Sequence, residues 1–250
     1  MRKTLFAILC SICIGGMATA QNREAAADSA EMVVSRFLAM QDFNKLSKDS
    51  ILYIETYIYY RSKPTDTAVL KRWYMRPNRF RAELWHGDTL IEGCYTDGRN
   101  IHRQLDPSMK VGWVDVTPEH YYEISEQYDM RGKLHRWKAN AAELKYEGVW
   151  DFNGHAVYRI LMMTPNKYNE HYLFEKESGM LFLIQETDEK SEYNDHKAYG
   201  HPDLHGYHEY QPWGGLLLPS IESYQVDNDV LFYYNRFKNI KGELSVFQKN

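Results

Sequence analysis

Val69-Leu70-Lys71-Arg72-Trp73-Tyr74-Met75-Arg76-Pro77-Asn78-Arg79-Phe80-Arg81-Ala82-Glu83-Leu84-Trp85-His86 leads, after Gly87-Asp88, into Thr89-Leu90-Ile91-Glu92-Gly93-Cys94-Tyr95-Thr96-Asp97-Gly98-Arg99-Asn100-Ile101 and closes on Leu105-Asp106-Pro107. Apolar residues alternate with polar ones through most of this stretch, the period of half-buried strands. Proline cannot donate to a β ladder, so Pro77 marks a bulge or an edge. Asp97-Gly98 between alternating runs is a hairpin signal. The chain folds back on itself here repeatedly, with a cation beside a kink.

Working outward, strands are expected at 51–61, 68–75, 78–86, 89–95, 99–105 and 111–116, with Lys63-Pro64-Thr65-Asp66 as a turn. In the first, Ile51, Tyr53, Tyr57 and Tyr59 share one face and Leu52, Ile54 and Ile58 the other. Upstream, Ser29 to Leu46 reads as an amphipathic helix with Val33, Phe37 and Met40 on one stripe. Downstream the period changes. Thr117-Pro118-Glu119 is a helix start, Tyr121, Ile124 and Tyr128 fall three or four apart, and Leu134, Trp137, Ala141 and Leu144 continue as a second helix. A second block of hairpins follows at 145–152, 155–163, 168–176, 180–187, 216–226 and 230–237, with turns such as Asn153-Gly154, Ser178-Gly179 and Gly214-Gly215.

The bulk numbers narrow the class. Arg2 and Lys3, the apolar run Leu5 to Ile14 and Ala18-Thr19-Ala20 read as a secretory signal over residues 1–20. Acylation at Cys10 or Cys13 is the rival reading, opposed by the large Leu9 and Ile12 before them. The remainder, 21–250, reads as a single exported, soluble domain. The formal charge of −4 leaves no bulk attraction to nucleic acid. Cys94 is the one cysteine beyond the signal, so stability rests on a core rather than disulfides.

Three motifs carry a resemblance. Met75-Arg76-Pro77-Asn78-Arg79-Phe80, Tyr95-Thr96-Asp97-Gly98-Arg99-Asn100-Ile101 and Leu105-Asp106-Pro107 are similar to the pattern of the LolA/LolB-like superfamily of periplasmic lipoprotein carriers and related outer-membrane lipoprotein-sorting proteins. A weaker match runs from Tyr210 to Pro219. The resemblance implies a mainly β fold with α: a curved antiparallel half-barrel, an incomplete β-barrel, covered by an N-terminal helix and a helical hairpin. It also implies a lid-gating role for Arg76, whose guanidinium would hydrogen-bond helix backbone and loosen when cargo enters. The chain departs from the pattern in its greater length and in the spacing of Trp85 after Phe80.

On this reading the protein needs no cofactor. Its partners are lipid or lipoprotein cargo and inner- and outer-membrane transfer partners. Expected cavity walls are Trp73, Met75, Phe80, Leu84, Tyr158, Ile160, Met162, Tyr172, Phe174, Phe182 and Ile184, with Tyr121, Ile124 and Trp137 from the lid. An envelope sensor or scaffold of the same fold that binds a protein is the alternative. A zinc-dependent hydrolase would need His201, His205 and His208 to converge, but their Gly- and Pro-containing segment reads as a loop with surface histidines. No G-x-S-x-G, H-E-x-x-H or P-loop motif occurs, which favours a non-enzyme. The cations Lys71, Arg72, Arg76, Arg79 and Arg81 suit either a solvated face or an anionic surface.

Overall fold

The computed structural model describes residues 30–96, 100–105, 113–116, 130–165, 169–186, 204–226, 229–241 and 244–247. The signal, the Asp97-Gly98 turn, the first expected lid helix with Tyr121 and Ile124, and His201 lie outside the described residues. Helix α1 covers 30–40 and is followed by a 3-10 turn, Phe43–Lys45, capped by the Asp42 carboxylate on the Asn44 N–H at 3.0 Å. The strands are β1 Ser50–Tyr60, β2 Lys63–Met75, β3 Arg79–His86, β4 Thr89–Thr96, β5 Ile101–Leu105, β6 Val114–Asp115, β7 Glu143–Phe152, β8 His155–Met163, β9 Asn169–Glu175, β10 Leu181–Glu186, β11 Leu204–Trp213, β12 Leu216–Val226 and β13 Asp229–Lys241.

All thirteen form one antiparallel sheet in the order β6-β5-β4-β3-β2-β1-β13-β12-β11-β10-β9-β8-β7. Two meanders meet where β1 pairs with β13, and the sheet curves without closing, an open half-barrel. Its edges, β6 and β7, are consecutive in the chain. Residues 116–142 therefore pass from one edge to the other. The described part of that crossover lies on the same side as α1: Val116 and Met130 pack on one apolar cluster, Leu134, Trp137 and Ala142 on another.

That side is the inner face. Two apolar clusters occupy it. One gathers Phe43, Leu46, Leu52, Ile54, Tyr74, Phe80, Ala82, Cys94, Ile101, Leu216 and Leu218. The other seats Ala30, Val33, Val34 and Phe37 of α1 on Ile160, Met162, Tyr172, Phe174 and Leu181, with Phe37 edge-on to Phe174 at 5.4 Å. Helical spacing puts those four α1 residues on one stripe, and burial of a Phe-sized group stabilises by roughly 2–3 kcal/mol.

Four expectations need correction. The second lid helix is a 3-10 turn, Lys133–Arg136, entered through Gly132 in the left-handed region (φ +73°). Leu144 belongs to β7, where pairing with Met162 puts it on the inner face beside Tyr146 by two-residue alternation. Lys63-Pro64-Thr65-Asp66 is strand, because Lys63 pairs with Tyr60 and the turn shrinks to Arg61-Ser62. Pro77 lies in the Arg76–Asn78 turn between β2 and β3 rather than within a strand. Residues 204–213 form β11, where Gly206 sits so close to Ser223 Oγ and His208 Nε2 that a Cβ would meet them at 2.8 and 2.9 Å. A glycine within a strand can mark close approach, not a loop.

Candidate functional site: a polar floor in an apolar trough

Directly paired residues of a sheet share a face, so the register assigns each side chain. On the inner face, burial changes along the strands. Under the 3-10 turn, at the start of β1, Leu52, Tyr74, Phe80, Cys94 and Leu216 are buried, and under α1 so are Ile160, Met162 and Phe174 of β8 and β9. Farther along β1–β3 and β10–β13, Leu70, Leu84, Leu231, Tyr224 and Ile184 keep part of their surface accessible. The inner face is thus a trough, filled beneath these two covers and partly accessible beside them.

A polar group lies at the boundary, built from five adjacent strands. Arg72 of β2 is opposite Ile54, and Thr56 of β1 is opposite Asn235 of β13. Glu222 of β12 is opposite Tyr233 and Tyr207, and His205 of β11 is opposite Tyr224. Arg72 Nη2 donates to Thr56 Oγ1 at 3.0 Å and Asn235 Oδ1 at 3.1 Å, and lies 3.9 Å from Glu222 Oε1. Asn235 Nδ2 donates to Glu222 Oε1 at 2.7 Å, and Glu222 Oε2 is 2.9 Å from His205 Nε2. Tyr207 completes the chain, its hydroxyl 2.9 Å from His205 Nδ1.

The electrostatics order these protons. Burial pushes Glu222 up, but the His205 hydrogen bond and charge, the Arg72 charge and the Asn235 hydrogen bond more than offset this and hold it at about 2. Burial pushes His205 down, opposed by Glu222. The imidazole is neutral at pH 7, so Nε2–H donates to the carboxylate and Nδ1 accepts the Tyr207 proton. Burial holds the Tyr207, Tyr224 and Tyr233 phenols protonated, well above their ordinary range. This acid–imidazole–hydroxyl order resembles a nucleophile relay, but its terminal phenol is held protonated. The arrangement orients hydrogen-bond donors.

A second buried pair sits under the crossover. Glu170 accepts from Lys133 Nζ at 2.8 Å and from the Tyr172 hydroxyl at 2.7 Å, tying the 3-10 turn to β9. Arg76 performs a comparable task at the other end of the trough. Its Nη1 donates to the carbonyls of Asn44 at 2.7 Å and Leu46 at 2.9 Å. It therefore clasps the backbone just after α1, not the crossover, with its five-donor fork meeting carbonyls that a short helix leaves unpaired.

The expected cavity residues divide. Phe80, Leu84, Tyr158, Ile160, Met162, Tyr172, Phe174 and Ile184 are on the inner face, and Trp137 packs beside the α1 cluster. Trp73 and Met75 are on the outer face, because β2 alternates and Tyr74 takes the inner position. Trp73 lies against Tyr53 at 5.1 Å instead. Phe182 is also outward: a register shift between Leu181 and Leu183 turns it toward Phe152 and His155, at 5.9 and 5.0 Å. The same parity splits the cations, with Lys71, Arg79 and Arg81 outward and Arg72 inward. Cys94 is buried on the inner face, its thiol pushed up to about 12 by burial.

The histidine reading is overturned in part. His205 is inward, whereas His208 is outward with Nε2 2.9 Å from Ser223 Oγ, so the two cannot share one metal. Among the described residues, no group of three His, Cys, Asp or Glu side chains is placed to hold a metal ion. The polar floor went unrecognised in the sequence. Its signal was present: Arg72, Glu222, Asn235 and Thr56 each fall at inward parity within an otherwise apolar or aromatic alternation.

Comparison with known proteins supports the architecture. No family model matches the chain, and no curated protein matches it. Among solved structures it is similar to a LolA superfamily protein from Nitrosomonas europaea, with a TM-score of 0.59 at 8% identity over 88% of this chain and 97% of that one. A Vibrio parahaemolyticus domain named for outer membrane lipoprotein sorting gives 0.57 at 8% identity, covering 87% and 94%. A DUF1329 family protein from Desulfovibrio piger gives 0.58 at 8%, covering 89% and 97%. The chain has a LolA-like fold.

Proposed function

We propose that the protein is an exported periplasmic carrier or binding protein that holds acyl chains of lipids or lipoproteins in the inner trough for transfer toward the outer membrane. The observation that carries this reading is an apolar inner face covered in part by α1 and the 3-10 turn, with Leu70, Leu84, Leu231 and Tyr224 left partly accessible beside them. Transfer of each methylene from water to such a surface is worth roughly 0.8 kcal/mol, so an acyl chain supplies affinity without catalytic chemistry. The protein acts without a cofactor and not as an enzyme. Arg76 sets how firmly the 3-10 turn is held, and Arg76→Leu should change cargo retention while the sheet stays folded. Transfer partners in the two membranes would deliver and receive the cargo.

A second reading, a sensor or scaffold that binds a protein, draws on the β7 edge. Val149 and Trp150 there are each 48% exposed on an edge strand whose second side has no neighbouring strand among the described residues, a template for strand addition. Purification from native envelope followed by mass spectrometry separates the two. Co-purifying lipid or lipoprotein supports the carrier; a stoichiometric protein without acyl cargo supports the scaffold.

A further inference from the structure

We infer that the polar floor is a head-group site: the trough takes a single-chain amphiphile head-inward, its anionic oxygens, carboxylate or phosphate, on Arg72 and the Tyr224 and Tyr233 hydroxyls. This deepens the carrier reading and rests on it.

Unfilled donors carry the inference. Among the described residues Arg72 uses Nη2 alone. Its Nε is enclosed without a hydrogen-bond partner, and Nη1 donates to no acceptor among the described residues. A buried donor left unmade is costly, roughly 1–3 kcal/mol, so an orphaned guanidinium N–H in a native fold calls for an acceptor. Nε and Nη1 each offer an anionic oxygen a charge-assisted hydrogen bond. Tyr224 and Tyr233, rings 4.7 Å apart, likewise place no hydroxyl hydrogen bond among the described residues, and both feel the Arg72 charge.

Glu222 does not close the site. Its oxygens are bonded by Asn235 and His205 at 2.7 and 2.9 Å, closer than Arg72 Nη2 at 3.9 Å, and it claims neither Nε nor Nη1. The side chains of Arg72 and Glu222 retain 16% and 11% exposure, which places the pair on an accessible floor rather than in sealed core. Leu70 and Leu231 continue from it along the accessible part, where a tail would lie.

Calorimetric titration of the delipidated protein tests this with four probes at pH 8: palmitate, lysophosphatidic acid, monopalmitoylglycerol and inorganic phosphate. The anionic lipids should bind at least about tenfold tighter than the neutral one, as one or more charge-assisted hydrogen bonds predict. Palmitate and lysophosphatidate binding alike would support the shared site, and a preference for one would name the source. Arg72→Met should erase the preference for the anionic lipids. Because that variant strands Glu222, Tyr224→Phe and Tyr233→Phe are read beside it; each keeps the ring and should weaken the anionic lipids alone. Equal affinity for charged and neutral lipids, or tight inorganic phosphate binding that no acyl chain improves, would overturn the head-group site and leave the carrier reading standing in the first case. Absence of binding by every acyl probe would overturn both.

Discussion

Arg72, Glu222 and His205 show how one position of parity decides what a charged side chain does. Lys71, next along β2, lies outward over the Trp85 ring at 4.9 Å, while Arg72 is inward beside a carboxylate. Because Glu222 is buried and bonded, Glu222→Gln leaves the Arg72 charge uncompensated and should cost about 3–5 kcal/mol in urea unfolding. The double variant Arg72→Met/Glu222→Leu should recover much of that loss, since removing both partners removes the stranded charge. The pH response follows from the same groups. His205 has a folded pKa below its ordinary 6.5, so the unfolded chain binds the proton first. Stability is full above about pH 6.5 and should fall as pH drops below it. The groups facing His205 are Glu222, Glu170, Arg72 and Tyr207. His171 and His208, also pushed down by burial, add to the same slope. A second loss should begin below 4.5 as Glu222 approaches its own value of about 2. Urea midpoints at pH 8, 6 and 5 check this, and His205→Gln should flatten the first step.

At the scale of elements, the 3-10 turn covers the trough at the start of β1 and α1 covers it over β8 and β9. Phe37→Ala should cost about 3–5 kcal/mol, because the ring is buried edge-on against Phe174 and its loss leaves a cavity. Arg76→Leu should instead act locally. Amide exchange at residues 43–47 should rise while β8 and β9 keep their protection, and a uniform rise across the sheet would contradict the clasp. Strands and turns were legible where alternation ran unbroken between Gly or Asn turns, as at His155–Met163 and Leu216–Val226. They were illegible where composition misled. His205-Gly206-Tyr207-His208 looks like a loop, yet its odd and even residues serve opposite faces of β11. Leu134, Trp137, Ala141 and Leu144 imitate helical spacing, yet Leu144 is claimed by β8. Long-range pairing overrode local pattern in both cases. The cavity list failed for Trp73, Met75 and Phe182 for a related reason: apolar character alone does not assign a face, and a one-residue shift at Leu181 reverses one.

For the whole molecule, the topology suits the proposed carrier role. Joining the two meanders at β1 and β13 puts the sheet's free edges at β6 and β7, and the chain between them passes from one edge to the other. Its described part lies over the inner face, anchored by Lys133 on Glu170 and by Leu134 in the α1 cluster. The half-barrel and its N-terminal helix were legible from the short motifs around Arg76 and Asp97; the polar floor was not, since it forms only when five strands from both ends of the chain come together. The direct test of an acyl-binding inner face is photo-crosslinking with a diazirine-bearing fatty acid, with adducts localised by tandem mass spectrometry. Adducts should fall on inner-face residues such as Leu70, Ile184 and Leu231. Labelling confined to outward residues such as Tyr59, Trp73 and Tyr234, or none at all, would contradict the account.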